Sequence, residues 1–400
     1  MKLYTTKKDV AATPSVVADD MILTVDMPTA AGSKMLDGYM SLFEAEALTR
    51  LINGGYAVVG KADVGEFAID LVGETSYNGA IVSDGKLANA SAEIVKSGDA
   101  TVALCLDVNG SVRRAAAQGG LVSVKPTYGT VSRYGVIPAA CSGDTVSVMA
   151  KTVADVQNAL DVIAGHDDKD GTSLSDEQCA LIKKGGSAKA ATRVAILTSM
   201  TSGIDADVKA LLDTRRATLT ASGIEVVDVD GDMFAAARPA WNILMSAELC
   251  NNVSRYDGIK FGYRSENFTN IDELYTNSRT EAFGELLKSR ILFGSDTLST
   301  ENYMKVYDKA LRVRRVTVDA FTKLFADFDA VMIPAASKTA YTEDDVRANK
   351  FISYEENLYT APASITGLPT VVAGGVQLIG KAFSENTLFG LATLFEKEGK

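Results

Sequence analysis

Thr101-Val102-Ala103-Leu104-Cys105-Leu106-Asp107-Val108-Asn109-Gly110-Ser111-Val112-Arg113 passes from an apolar run of strand length, through a small-residue turn, to a serine. The run suits a strand in the middle of a sheet, covered on both faces. Gly110 precedes a serine that reads as the start of a helix. Such a junction exposes a hydroxyl beside free backbone N–H groups, which suits a nucleophile with an oxyanion hole. The same spacing describes a serine that merely caps a helix. Taken alone, the junction leaves both readings open.

Working outward, strands alternate with helices. Ser41 to Asn53 carries Leu42, Ala45, Leu48, Leu51 and Ile52 at helical spacing, and Gly54-Gly55 ends it before a strand at Tyr56–Val59. Leu121–Val124 is a short strand. Thr152-Val153-Ala154-Asp155 is a capping box with Asp in place of Glu, opening a helix to Ile163. Val194–Leu197, a helix over about 205–221 ended by Gly223, and Ile224–Val227 form a βαβ unit. Residues 239–326 are mostly helical. Asp329–Pro334 and Thr370–Ala373 are strands, and a last helix covers about Glu385 to Lys397. The expected class is α/β, a large mixed β-sheet flanked by helices on both faces. No linker interrupts it, so residues 1–400 read as one domain, with 166–326 as a helix-rich subdomain.

Composition narrows the function. The 400 residues carry a formal net charge of −11, against the clustered Lys and Arg that grip nucleic acid. The cysteines, Cys105, Cys141, Cys179 and Cys250, form no CxxC pair, and His166 is the single histidine. A Cys/His zinc site is excluded on that count. A Ser-His-Asp triad would have to use His166, which lies in the polar loop Ala164–Asp170 after a helix. Scattered cysteines and an N-terminus without an apolar signal run lead to the expectation of a cytoplasmic protein with reduced thiols. No stretch is long and apolar enough to span a membrane.

The segments around the serine carry a resemblance. Asp107-x-x-Gly110-Ser111-Val112-Arg113, followed by Lys125-Pro126-Thr127-Tyr128-Gly129-Thr130-Val131-Ser132-Arg133-Tyr134-Gly135, resembles the core of the amidase signature family. The second run, with Ala164-Gly165-His166-Asp167-Asp168-Lys169-Asp170, is particularly similar to the GatA branch of the family, which serves the tRNA-dependent amidotransferases. Gly60–Ala68, Ser254–Arg264, Ser289–Gly294, Ile365–Pro369 and Val376–Phe383 agree, so the resemblance covers about residues 30–395.

The family's chemistry is amide hydrolysis by a Ser–cis-Ser–Lys triad. In the GatA branch it releases ammonia from glutamine for the amidating partner GatB, with the small GatC bridging the two. By this resemblance Ser111 is the nucleophile position and Val108, Asn109 and Gly110 form the oxyanion loop, where Asn109 is expected to adopt positive φ. Aligned without gaps from Ser111, the relay serine falls on Leu87, which has no proton to pass. The family's lysine ends an apolar strand in Lys-Asp-Asn. The nearest match, Ile22–Met27, places Val25 there. Lys61 matches a different family lysine and reads as a solvated or locally paired side chain. Arg314 matches the arginine for the glutamine α-carboxylate, Asn357 stands where an aspartate would hold the α-amino group, and Tyr263 matches a substrate-contacting tyrosine. The chain also begins later than the family's usual start, and the turn at Val372–Val376 is shorter. The resemblance implies no cofactor and no metal. It implies GatB and GatC as partners, with glutamine as the ancestral substrate and tRNA held mainly by a partner.

Three functions fit this pattern. The first is a GatA-like scaffold whose glutaminase chemistry is weak or lost. The second is an active amidase using Ser111 with a rebuilt site, in which Lys86 beside the lost relay serves as base. The third is a small-molecule-binding pseudoenzyme that keeps the old pocket through Arg314.

Overall fold

Strict alternation in the central strands assigns side chains to the two faces of a sheet. The computed structural model describes residues 2–186 and 189–396. Its strands are β1 (Tyr4–Lys7), β2 (Ser15–Asp19), β3 (Ala57–Ala62), β4 (Val82–Ser83), β5 (Lys86–Leu87), β6 (Val102–Asp107), β7 (Val122–Lys125), β8 (Thr145–Ala150), β9 (Arg193–Leu197), β10 (Glu225–Val229), β11 (Ala330–Pro334), β12 (Thr370–Ala373) and β13 (Val376–Ile379). Eleven of them form one sheet in the order β1-β3-β2-β6-β8-β7-β12-β13-β11-β9-β10, and β4–β5 is a separate hairpin. The sheet is mixed: β2 runs parallel to β3 and β6, whereas β8 is antiparallel to β6 and β7.

The longer helices are α1 (Glu46–Asn53), α2 (Ala90–Ser97), α3 (Ser111–Gly119), α4 (Val153–Ile163), α5 (Ala206–Ala221), α6 (Ala237–Asn252), α7 (Ile271–Ala282), α8 (Glu285–Thr297), α9 (Asp308–Asp327) and α11 (Glu385–Glu396), with the short α10 (Ala361–Thr366) before the last of these. Val16, Ala18, Leu104 and Val148 pack with Leu48 of α1, Leu160 of α4 and Leu388 of α11. Their neighbours Val17, Ala103, Cys105 and Met149 pack on the other face, with Ile94 of α2 and Val112 and Ala116 of α3. The expected α/β sheet with helices on both faces is therefore present. Within 166–326, β9 and β10 pair in parallel and join the main sheet, while α6 to α9 follow as a helical run. No helix among the described residues is long and apolar enough to cross a membrane.

Several boundaries differ from the sequence reading. The first helix starts at Glu46, not Ser41, because Ala45 N donates to Leu23 O and Glu46 N to Tyr134 O, which holds the preceding residues in a tertiary loop. Leu42 is correspondingly exposed at 94%. The last helix is described to Glu396, and Lys397 lies outside the described residues. Ile22–Met27 is not a strand. The strand of that region is β2, which ends at Asp19, and Ile22 makes only an isolated bridge to Val136.

Candidate functional site

The β6–α3 junction is fixed by a buried ion pair. Asp107 ends β6, and Arg113 lies in the first turns of α3. Arg113 Nε and Nη2 meet the two carboxylate oxygens of Asp107 at 3.0 and 2.9 Å. Nη1 donates to Thr360 O and Gln377 Oε1, both at 2.9 Å, and Nη2 also reaches Ser364 Oγ at 2.7 Å. All five guanidinium N–H groups are thereby used, the condition under which a buried charge is tolerated. The pair draws β6, α3, α10 and β13 onto one point.

Between these two residues the chain makes a left-handed turn at Gly110, with φ 98°. A Cβ at this position would lie 2.3 Å from the Thr360 side chain, so only glycine fits. Thr360 Oγ1 donates to Asn109 O at 2.7 Å and closes the turn from the other side. Asn109 does not take the positive φ expected of it; Gly110 alone supplies that conformation in the turn. Instead the Asn109 side chain is buried and makes three hydrogen bonds. Its Nδ2 donates to Ile69 O at 3.2 Å, and its Oδ1 accepts from Trp241 Nε1 at 3.1 Å and Asn357 Nδ2 at 3.0 Å.

That amide is one node of a larger network. Asn357 exchanges hydrogen bonds with Asn242 on α6, Nδ2 to Oδ1 at 3.2 Å and Nδ2 of Asn242 to Oδ1 at 3.3 Å. Asn242 Oδ1 also accepts from Arg290 Nη1 at 2.6 Å, and Arg290 stacks on Tyr354 at 3.5 Å. Burial pulls the Arg290 guanidinium down to about 10. Ser111 opens α3 beside this network at 7% exposure, and its hydroxyl makes no hydrogen bond among the described residues.

Comparison with known proteins agrees with this arrangement. An amidase family model matches residues 15–389. The chain belongs to the amidase family. It is 36% identical over 396 residues to the A subunit (GatA) of a glutamyl-tRNA(Gln) amidotransferase from Streptococcus pneumoniae, covering 94% of this chain and 81% of that relative. A Streptococcus thermophilus protein of the same description is 35% identical over the same shares. The structure of the corresponding glutamyl-tRNA(Gln) amidotransferase component, GatA, from Thermotoga maritima superposes with a TM-score of 0.80 at 26% identity, over 99% of this chain and 87% of that one. Allophanate hydrolase from Kluyveromyces lactis shares the fold, with a TM-score of 0.81 at 23% identity over 95% of this chain and 61% of that chain.

The other positions inferred from the amidase family fall as follows. Leu87 lies in β5, buried, and packs with Leu71, Val72, Tyr341 and Ile352. Its N–H donates to Tyr341 O at 2.7 Å. Lys86, the preceding residue on the same two-residue strand, is exposed. Val25 is 50% exposed, in the loop beyond β2, its N–H donating to Glu44 Oε2 at 2.9 Å. It is not at the end of an apolar strand, and its place as the lysine position is corrected on that ground.

Asp19 stands at the strand end instead. Its carboxylate accepts Met21 N at 3.0 Å and, across to β6, Leu106 N at 2.7 Å. Burial pushes the group up to about 7, against these two N–H bonds. Lys61 is wholly buried rather than solvated. It lies 3.1 Å from Asp20 and donates to Thr29 Oγ1, and burial lowers its pKa against the pull of Asp20. Sequence reasoning missed Asp19 and did not foresee the burial of Lys61. The available signal was the Asp19-Asp20 pair directly after the apolar Val16-Val17-Ala18.

Arg314, on α9, is half-buried and makes no hydrogen bond or ion pair among the described residues. Tyr263 donates to Glu281 at 2.6 Å and lies under Lys34 at 4.0 Å. The contacts of Arg314, Asn357 and Tyr263 share no residue. His166 sits in an exposed loop with Leu174 O and Asp168 as partners, apart from Ser111. Among the described residues no group of three or more His, Cys, Asp and Glu side chains could hold a metal.

Proposed function

We propose that this amidase-family protein is a GatA-like component of a tRNA-dependent amidotransferase that has lost glutaminase chemistry and acts as a scaffold for GatB and GatC. The observation that carries the reading is the environment of Ser111. A serine nucleophile needs a base within hydrogen-bond reach, and the Ser111 hydroxyl has no partner among the described residues. The relay position, Leu87, is built into an apolar cluster.

Two further features support it. In the family the strand before this site ends in Lys-Asp-Asn; here β2 ends at Asp19 and is followed by Asp20-Met21, so a carboxylate stands at the lysine position. Asp19 cannot replace the lysine, because its two oxygens are held by Met21 N and Leu106 N. At position 357, where the family's aspartate would bind the α-amino group of glutamine, Asn357 is turned inward onto Asn109 and Asn242. Loss of acid–base assistance alone removes about 10²–10⁴-fold in rate. The exposed side chain of Lys86 gives no support to a rebuilt base.

Co-expression with GatB and GatC from the same source tests the scaffold role. The expected result is a stable complex on size exclusion that amidates the misacylated tRNA when supplied with free ammonium. A chain that elutes alone, with GatB and GatC assembling without it, contradicts the reading.

A further inference from the structure

A cavity of about 180 Å³ lies between the β4–β5 hairpin, α2, α3 and the loop at Thr339 and Ala340. It runs along α3 away from Ser111, which does not line it. One of its walls is Arg114, only 2% exposed. The guanidinium of Arg114 is far less satisfied than that of its neighbour Arg113. Its Nη1 donates to Gln118 Oε1, while Nε is buried with no hydrogen-bond partner and Nη2 makes no hydrogen bond to a described residue. Gln118 is itself held by Nε2 donating to Lys338 O at 2.9 Å, which keeps its carbonyl facing Arg114.

Two carboxylates steady the charge from a distance without meeting those N–H groups. Glu356 already accepts from Ser337 N, Ser337 Oγ and Tyr341 Oη. Asp70 accepts from Val72 N, Glu74 N and Thr75 N at 2.7, 2.6 and 2.9 Å. A buried arginine with idle donors calls for a missing acceptor. The cavity supplies room for one, and its rim adds to the attraction. Lys86 and Lys96 line it with Asp84 and Glu93, and Glu93 is already tied to Ser83 Oγ at 3.0 Å and Lys96 at 3.7 Å.

We propose that this cavity binds a small oxyanion, a carboxylate or a phosphate group, on the Arg114 guanidinium, with Lys86 at the mouth. The planar fork of arginine matches either anion through two parallel N–H bonds. The volume suits an anionic head group of a few heavy atoms rather than a whole cofactor.

Thermal unfolding of the full chain, followed in sodium glutarate and separately in inorganic phosphate at constant ionic strength set with NaCl, tests this. The expected result is a saturable rise in Tm with at least one of the two anions, and which one acts separates a carboxylate ligand from a phosphate ligand. Arg114→Gln should weaken the apparent affinity at least tenfold, and Lys86→Glu several-fold. Position 86 is exposed, so Lys86→Glu keeps the test decisive if Arg114→Gln does not fold. No saturable rise with either anion, or affinities unchanged in Lys86→Glu and in any folded Arg114→Gln, would overturn the proposal.

Discussion

Asn357 Nδ2 donates to Asn109 Oδ1 at 3.0 Å, joining residues 248 positions apart at the turn that presents Ser111. Trp241 Nε1 fixes the direction of that bond, because it can only donate and so holds the Asn109 carbonyl toward the network. Position 357 must then offer a donor. Aspartate there would set a carboxylate against the carbonyl oxygens of Asn109 and Asn242. The residues at 109 and 357 therefore depend on each other.

Asn357→Asp should destabilise the protein by about 2–3 kcal/mol, and Asn109→Gly by a similar amount, since each leaves buried polar groups without partners. The double variant should cost clearly less than the sum, with a coupling of roughly 1–2 kcal/mol in a double-mutant cycle by urea denaturation. Additive losses would show that the two positions are independent.

Asp107→Asn should be among the most damaging single substitutions. It removes the charge opposite Arg113 and leaves that guanidinium buried, at a cost of roughly 3–5 kcal/mol. Chemical denaturation of the purified variant reads this directly. A loss under about 1 kcal/mol would mean that Thr360, Ser364 and Gln377 suffice to hold the arginine.

Leu87→Ser restores the residue type of the relay without restoring the relay. It takes most of a side chain from the cluster of Leu71, Val72, Tyr341 and Ile352 and places a hydroxyl there. The expected result is about 2–4 kcal/mol less stability and no gain in ammonia release from glutamine. A gain in release would show that a base is within reach of position 87.

Glu66 gives a pH signature. It accepts from Ser33 Oγ at 2.6 Å and from Gly284 N, at the start of α8, at 2.9 Å, and burial raises its pKa to about 7. The folded state therefore holds a proton that the unfolded chain releases near the ordinary value of about 4.3. Stability from this group is complete below that value and is lost as pH rises through about 7. Denaturation midpoints should fall between pH 5 and pH 8, and Glu66→Gln, whose amide can donate to Ser33 Oγ while its oxygen accepts from Gly284 N, should flatten part of that fall by roughly 2 kcal/mol. An identical slope in the variant contradicts the assignment.

Much of the fold is legible where local pattern and tertiary role coincide. The apolar run ending at Leu106 is a central strand, the Thr152 cap starts α4, and 193–229 is a parallel βαβ unit. The pattern misleads where polar residues are buried or apolar ones are not in a strand. β8 goes unnoticed because Thr145 and Ser147 interrupt it, although Ser147 Oγ satisfies itself on Thr145 O. Ile22 and Leu23 match the end of an apolar strand in sequence, yet Ile22 makes only an isolated bridge to Val136 and Leu23 bonds to Gly135 and Ala45 from a loop. That error carries the lysine position to Val25. Lys61 is read as solvated or locally paired; it is paired, with Asp20, but its full burial is not legible because that counterion is distant in sequence. The Ser111 turn is legible from Gly110. The Asn109–Asn357 bond is not, since no local pattern connects them.

Loss of glutaminase chemistry is tested most directly by ammonia release from glutamine, measured on the purified chain alone and with GatB and GatC, with Ser111→Ala alongside. No release above the Ser111→Ala background is expected in either condition, because the Ser111 hydroxyl makes no hydrogen bond among the described residues. Release that disappears in Ser111→Ala would contradict the scaffold role and would show that this serine is still a working nucleophile.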